Sequence, residues 1–257
     1  MTNNPDPSPI INEPLRQTVA NIEFRQMLES YFNRSIGSSV EKLENFTKYV
    51  PQQRLVRFLV RYEIVKKLLP VHGSIVECGV LFGFGLTTWA QLSSLLEPFN
   101  HQRRIIGFDT FSGFPSISHQ DKSGKSIHLN EGGLSSGAYE DLNEAIRLFD
   151  LNRFLNHIPK VEVIKGDASM TIPQYVRQNQ HLVVSLLNLD FDIYEPTKIA
   201  LEHLVPRMPK GGIIVFDELN NDLWPGETVA VMETIGIRNL KLERSVMGTT
   251  ISYAVLD

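Results

Sequence analysis

The sequence predicts an α/β protein: a Rossmann-like, doubly wound sheet of seven strands that ends in an antiparallel hairpin and follows an N-terminal helical extension. Three observations predict it. From Leu15 to about Leu69 apolar residues recur at helical spacing. After His72 and Gly73 short apolar runs alternate with helical segments, the pattern of parallel strands joined by helical crossovers. At the tail, LKLERS and TTISYAVLD are separated only by VMG, a link too short for a parallel crossover and suited to a hairpin.

The elements follow in order. The opening MTNNPDPSPIINEP holds four prolines in fourteen residues and no periodicity, so residues 1–14 read as a loose arm. In 15–70, Ile22, Leu28, Phe32, Leu43, Phe46, Leu55, Phe58, Leu59, Val65 and Leu68 mark two or three helices. Arg54, Arg57 and Arg61 share one face of the last, which reads as a solvated basic stripe. Residues 71–257 form the main domain, with strands at SIVECGV, RRIIGFDT, VEVIKGDA, VVSLLNLDF and GGIIVFDE and helices starting near Leu86, Tyr139, Ile172, Glu195 and Thr228. Five parallel strands and a hairpin are the sheet expected of a class I methyltransferase, whereas a dinucleotide fold more usually supplies six parallel strands. One irregular stretch rich in Ser, Gly and His, residues 111–138, reads as a lid, because loops this long inside compact domains are usually functional or disordered.

Composition narrows the function classes. With 257 residues, 42% hydrophobic, 21% charged and a net charge of -4, the chain resembles an ordinary globular protein with no call for a polyanionic partner, so nucleic acid is not expected. Cys78 is the single cysteine. With no leading apolar segment and no apolar run near the roughly 20 residues that cross a bilayer, the expectation is a cytoplasmic protein without a membrane partner. The arm and N-terminal helices suit pairing into a homo-oligomer.

Ligands of open α/β sheets bind where strands end. The first strand ends in ECGVLFGFG and runs straight into a helix, so its glycines bring backbone close to a ligand and the helix start offers free N–H groups. A dinucleotide fingerprint needs G-x-G-x-x-G and an acid about 20 residues on. Here the spacing is G-x-x-x-G-x-G, and the next strand-ending acid, Asp109, lies thirty positions after Gly79. Asp109 can accept from both ribose hydroxyls, and Asp167, ending the third strand, can sit near an adenine amino group. Glycine loop, acid and acid together fit a nucleoside carrying an amino acid, although each acid alone could be a helix cap or turn former.

The fourth and fifth strands run LLNLDFDIYEP and GGIIVFDELNND. If they are neighbours, Asp190, Asp192, Asp217 and Glu218 gather at one edge. Like charges that close oppose folding unless a cation sits among them or one holds a proton. Oxygen-only ligands suit Mg²⁺ or Mn²⁺, so Asp190, Asp217 and Glu218 are candidate metal ligands. If strand geometry persists, Asp192 shares the face of Asp190 and is free to act as a base. The alternative is that Asp192 caps the helix at Glu195 and that Asp217 and Glu218 flank a loop.

Four stretches resemble the macrocin O-methyltransferase family, whose members methylate sugar hydroxyls of natural products with S-adenosylmethionine and Mg²⁺: VECGVLFGFG, GFDTFSGFP, GDASMTIP and LDFDIYEPTKIALEHLVPRMPKGGIIVFDEL. The resemblance implies metal ligation by Asp190, Asp217 and Glu218 and a general base in Asp192. It implies cofactor contacts from Glu77, Gly79, Asp109, Ser112 and Asp167, with Gly83, Thr87 and Ala168 in the same pocket. Phe84 stands where the family has its second glycine, and Glu218 replaces an aspartate.

The expected reaction is a direct SN2 methyl transfer to a deoxyhexose hydroxyl of a glycoside or nucleotide sugar, with Asp192 removing the proton. His119 and His128, in the expected lid, are alternative bases, although a surface role suits each. Rival readings are a metal-dependent methyltransferase of a catechol-like phenol, a nicotinamide-dependent oxidoreductase and a non-catalytic nucleoside-binding protein.

Overall fold

A computed structural model describes residues 13–257; all but the last two residues of the expected arm lie outside that range. The chain divides into two compact units, Met1–Phe58 and Leu59–Asp257, with the division falling inside the third helix.

In the first unit, α1 (Val19–Arg34) and α2 (Ser39–Glu44) precede the start of α3 (Gln52–Leu68). Both starts are fixed by reciprocal caps. The Thr18 hydroxyl accepts from the Asn21 amide while the Asn21 side chain accepts from the Thr18 amide at 2.9 Å, and Ser38 and Glu41 repeat the arrangement. The aromatic rings of Phe32 and Tyr49 meet edge to face at 5.1 Å, and Lys42 donates to the Phe32 carbonyl at 2.6 Å. No residue of α1 is buried: Val19, Ile22 and Met27 are all exposed.

The second unit is a seven-stranded sheet. It is built from β1 (Ser74–Cys78), α4 (Phe84–Leu96), β2 (Ile105–Asp109), α5 (Tyr139–Leu151), β3 (Val161–Lys165), α6 (Ala168–Gln178), β4 (Val184–Leu189), α7 (Tyr194–Leu204), β5 (Ile213–Phe216), α8 (Pro225–Thr234), β6 (Leu242–Arg244) and β7 (Ser252–Val255). The order is β3-β2-β1-β4-β5-β7-β6. The first five strands are parallel and β7 runs antiparallel to both β5 and β6, as the short tail predicts. Successive strands run outward from β1 in one direction and from β4 in the other, so a crevice opens between β1 and β4 at their carboxyl ends.

Alternation along the strands builds the core. Val76, Cys78, Phe108, Leu187, Leu189 and Phe216 pack with Ile172, Ala200, Leu204 and Val231 of the covering helices. Glu77 and Asn188, paired in register across β1 and β4, alternate with that apolar set. On α3, Arg61 departs from the expected solvated stripe: it is 1% exposed and lies 5.4 Å from the Phe84 ring and 5.3 Å from the Trp89 ring. Its aliphatic stem and planar head match the buried side of the helix, and aromatic faces offset part of its desolvation.

Helix starts shift toward their caps. α6 begins at Ala168, four residues ahead of Ile172, because Asp167 caps it by accepting from the Ser169 amide at 2.9 Å. α8 begins at Pro225 instead of Thr228, with proline at a first-turn position where its missing N–H costs nothing.

Candidate functional site at the carboxyl edge of the sheet

The rim above β1, β2, β4 and β5 is lined by backbone that ordinary residues rarely adopt. Leu81, Phe111, Asp192 and Asn220 follow these four strands in turn, each with φ between 53° and 65°. Such strain persists where surrounding structure over-determines it, and functional sites are where it clusters.

Gly79 closes β1 at φ 93°, and a Cβ there would lie 1.9 Å from the Asp190 carbonyl oxygen. Only glycine lets the ends of β1 and β4 come this close. Gly83, at φ 90°, is the N-cap of α4, and Thr87 donates its hydroxyl back to the Gly83 carbonyl at 2.7 Å. Glu77 is buried and accepts from the Trp89 indole N–H at 2.5 Å, while a Cβ on Gly85 would meet Glu77 Oε1 at 1.7 Å. The glycine loop therefore rests on Glu77, and Phe84, in place of a glycine, packs on Arg61.

Asp109 already holds three backbone amides: Oδ2 accepts from Val80 and Leu81 at 2.7 and 2.8 Å, and Oδ1 accepts from Phe111 at 2.6 Å. It thus ties the glycine loop to the end of β2, and a carboxylate with about four lone-pair sites retains capacity beyond three donors. Asp167 acts as a helix cap. Ala168 is buried as the first residue of α6, and Ser112 is exposed with its amide donating to the Thr110 hydroxyl at 3.3 Å.

The sheet order sets the ends of β4 and β5 side by side. Leu189 pairs with Phe216 across β4 and β5, so Asp190 and Asp217, one residue beyond, leave adjacent strand ends. Burial, followed by the charges of Glu218, Asp190, Asp217 and Glu227, pushes the Asp192 carboxyl well above the usual carboxylate range. Strand geometry does not persist to Asp192, which takes φ 65°, so it does not reach the cluster by strand alternation. Nor does it cap α7: the Tyr194 amide donates instead to Asp121 Oδ1 at 2.8 Å, and the helix has no side-chain cap from its own N-cap residue. Glu218 is tied by the Asn221 side-chain amide and by its own N–H, which donates to Glu227 Oε1 at 3.1 Å.

An all-oxygen donor set of this kind suits a hard divalent cation, and Glu227, whose Oε2 is buried without a hydrogen-bond partner, has its carboxyl pushed well above the usual range by burial and then by the charges of Asp217, Glu218 and Asp190. The fit is one of donor chemistry. Among the described residues no three His, Cys, Asp or Glu side chains converge into a group that could hold an ion.

Residues 111–138 are folded over this edge. Asp121, 1% exposed, receives the Ser118 amide and hydroxyl on one oxygen and the Tyr194 amide on the other. Phe114, Ile117, Leu129 and Leu134 pack on Ile193, Leu223 and Trp224, with Phe114 and Trp224 edge to face at 5.7 Å. Ser136 Oγ donates to the Leu81 carbonyl at 2.9 Å and Lys125 pairs with Asp222 at 2.7 Å. His119 is exposed and His128 partly so. Sequence reasoning missed Asp121 and Glu227, two buried acids. The only available signal for Glu227 was Pro-Gly-Glu, a helix opening with an acid in its first turn.

Comparisons with known proteins identify the fold and the family. The family model described as macrocin-O-methyltransferase (TylF) matches residues 36–238. The 8-demethyl-8-(2,3-dimethoxy-alpha-L-rhamnosyl)-tetracenomycin-C 4'-O-methyltransferase of Streptomyces olivaceus is 28% identical over 151 residues, 58% of this chain and 53% of that protein. The match thus spans about half of that curated relative. Among solved structures, CalS11, a calicheamicin methyltransferase, is 31% identical with a TM-score of 0.89, covering 93% of this chain and 94% of that one. The O-methyltransferase NovP, at 21% identity, TM-score 0.62 and coverage of 78% and 79%, shares the fold. With a family model matching most of its length on a class I methyltransferase sheet, the chain belongs to the macrocin-O-methyltransferase (TylF) family.

Proposed function

We propose that this chain is an S-adenosylmethionine-dependent O-methyltransferase acting on a hydroxyl of a small sugar, a deoxyhexose carried on a glycoside or nucleotide. The observation that carries the reading is the juxtaposition of the glycine loop after β1 with the carboxylates after β4 and β5. The relatives support the acceptor class: one is described as a rhamnosyl 4'-O-methyltransferase and CalS11 as a TDP-rhamnose 3'-O-methyltransferase.

In this reading Gly79, Gly83 and Thr87 shape the loop that receives the amino-acid end of the cofactor, beside Glu77. Asp109 takes the ribose hydroxyls next to Ser112, and Asp167 and Ala168 border the adenine. Asp190, Asp217 and Glu218 would hold Mg²⁺ or Mn²⁺. When bound, S-adenosylmethionine supplies a methyl group already activated on a sulfonium, and the cation supplies positive charge that lowers the pKa of a nearby hydroxyl. The work left to the protein is alignment, exclusion of water and removal of one proton. Asp192 is assigned the proton, because it lies among the acids without spending its carboxylate on the helix cap. The folded segment 111–138 excludes water from the same edge. Cytoplasmic residence fits a small-molecule acceptor, and among the described residues no helix is long and apolar enough to cross a membrane.

The test is incubation of the protein with isotopically labelled S-adenosylmethionine, Mg²⁺ and a panel of nucleotide sugars, glycosides and a diphenol, read by mass spectrometry. Label on a sugar supports the proposal; label confined to the diphenol, or none, overturns it. Asp192→Asn should keep cofactor and cation binding while kcat falls by at least about 100-fold, within the usual range for a lost general base. Activity within a few-fold of wild type removes Asp192 from the role.

A further inference from the structure

Positive charge collects where the glycine loop turns into α4. Gly83 is the N-cap and gives the helix no side-chain cap, so the positive end of thirteen helical residues follows directly on the loop. Arg61 adds a full charge at the same place. It is 1% exposed and stands over the rings of Phe84, the first residue of α4, and of Trp89. Its Nε and Nη1 are sealed from water without a hydrogen-bond partner. An arginine cannot relieve this by losing its proton, because its pKa lies above about 12.

Two aromatic faces attract a cation, yet they leave its in-plane N–H donors unsatisfied. Glu77 does not take them: Oε2 accepts the Trp89 indole N–H at 2.5 Å, Oε1 lies against Gly85, and neither bonds Arg61 Nε or Nη1. On the neighbouring strand Asn188, paired in register with Glu77 and fully buried, has neither amide atom bonded. Donors and acceptors thus share the layer beneath the glycine loop without satisfying one another, which is costly unless a partner comes from outside the chain. A carboxylate suits the guanidinium best, since its two oxygens match planar N–H donors and a helix start favours the same charge. Phe84 is partly exposed where Trp89 is fully buried, so a ligand reaches the guanidinium from the Phe84 side.

We infer that Arg61 receives the carboxylate at the methionine end of S-adenosylmethionine, with the start of α4 as a second support. This rests on the cofactor reading given above and adds to it a residue that lies outside both the strand ends and the glycine loop. It also gives Phe84 a task where the family has a glycine: its ring holds the guanidinium in place. The nucleoside end of the cofactor should bind without help from Arg61.

The full chain is titrated by calorimetry with S-adenosylmethionine, with its decarboxylated analogue, and with methylthioadenosine, which lacks the amino-acid end. Wild type should bind S-adenosylmethionine at least about tenfold more tightly than the decarboxylated analogue, the scale of a hydrogen bond to a charged group. Arg61→Met keeps an apolar stem and should erase that preference to within about twofold, with methylthioadenosine affinity unchanged on the same scale. Arg61→Lys keeps the charge without the planar fork and should retain part of the preference. Without ligand, Arg61→Met should unfold at or above the wild-type temperature, because a buried charge has gone. Equal affinity of wild type for S-adenosylmethionine and the decarboxylated analogue overturns this inference alone, as does an undiminished preference in Arg61→Met. So does a large drop in the ligand-free unfolding temperature of Arg61→Met, which would make the guanidinium a structural group. A wild type that binds none of the three compounds brings down the cofactor reading and this inference with it.

Discussion

Lys160 is 5% exposed and donates to the Asn100 carbonyl at 2.9 Å, and burial pulls its pKa from 10.5 down to about 8, with Glu97 opposing and Arg153 and Arg103 adding to the shift. Between those two values the unfolded chain holds a proton that the folded chain has released. Stability linked to this residue is therefore fully present above pH 10.5 and is lost as pH falls through about 8. Against Lys160→Met, the wild-type unfolding free energy should gain about 1–3 kcal/mol between pH 7.5 and 10.5, read by urea unfolding. A difference between the two proteins that stays flat over that range contradicts the assignment. Other single residues show what spacing can and cannot tell. Asp109 and Asp167 stand out in the sequence because they follow strands, but the three backbone amides that Asp109 holds come from loops that no periodicity describes, and Asp167 caps the next helix. Arg61 was misjudged for the opposite reason. A helical stripe of arginines reports which side chains share a face, and only the arrival of Phe84 and Trp89 decides that one of them is sealed.

Asp121 does at the level of elements what the missing cap on α7 would have done. One carboxylate joins the 111–138 segment, the first amide of α7 and, through the space left by Gly226, the start of α8. Asp121→Ala strands the buried Tyr194 amide, so it should cost about 2 kcal/mol in thermal or urea unfolding. Limited proteolysis should then cut within 111–138 sooner than in wild type; unchanged cleavage would mean that the apolar contacts of Phe114 and Leu129 hold the segment unaided. The strands, the hairpin and the helix types were legible because period and turn length are local. The starts of α6 and α8 were less so, since Asp167 and Pro225 set them from outside the periodic stretch. The conformation of Asp192 was not legible at all: a strand pattern continues in LDFD, but the backbone turns to positive φ to leave the sheet.

For the whole molecule, the strand count and the adjacency of β4 and β5 could be anticipated, whereas the position of β7 between β5 and β6 is a long-range pairing that a linear pattern does not encode. Burial of the first unit was equally hidden: α1 has helical periodicity and capped ends, yet Val19, Ile22, Phe24 and Met27 stay exposed. Because β7 buries Tyr253 and Ala254 and covers the edge of β5, deleting residues 252–257 should unpair both β5 and β6. The shortened chain should lose its cooperative thermal transition and aggregate; a sharp transition near the wild-type temperature would show that five parallel strands suffice.

The two tryptophans lie in different parts of this architecture. Trp89 is hydrogen-bonded to Glu77 under the glycine loop, and Trp224 stacks edge-on with Phe114 in the roof formed by 111–138. The molecule therefore carries two native fluorophores at separate addresses. Emission from one reports on the glycine loop after β1, and emission from the other on the 111–138 segment, with no label attached.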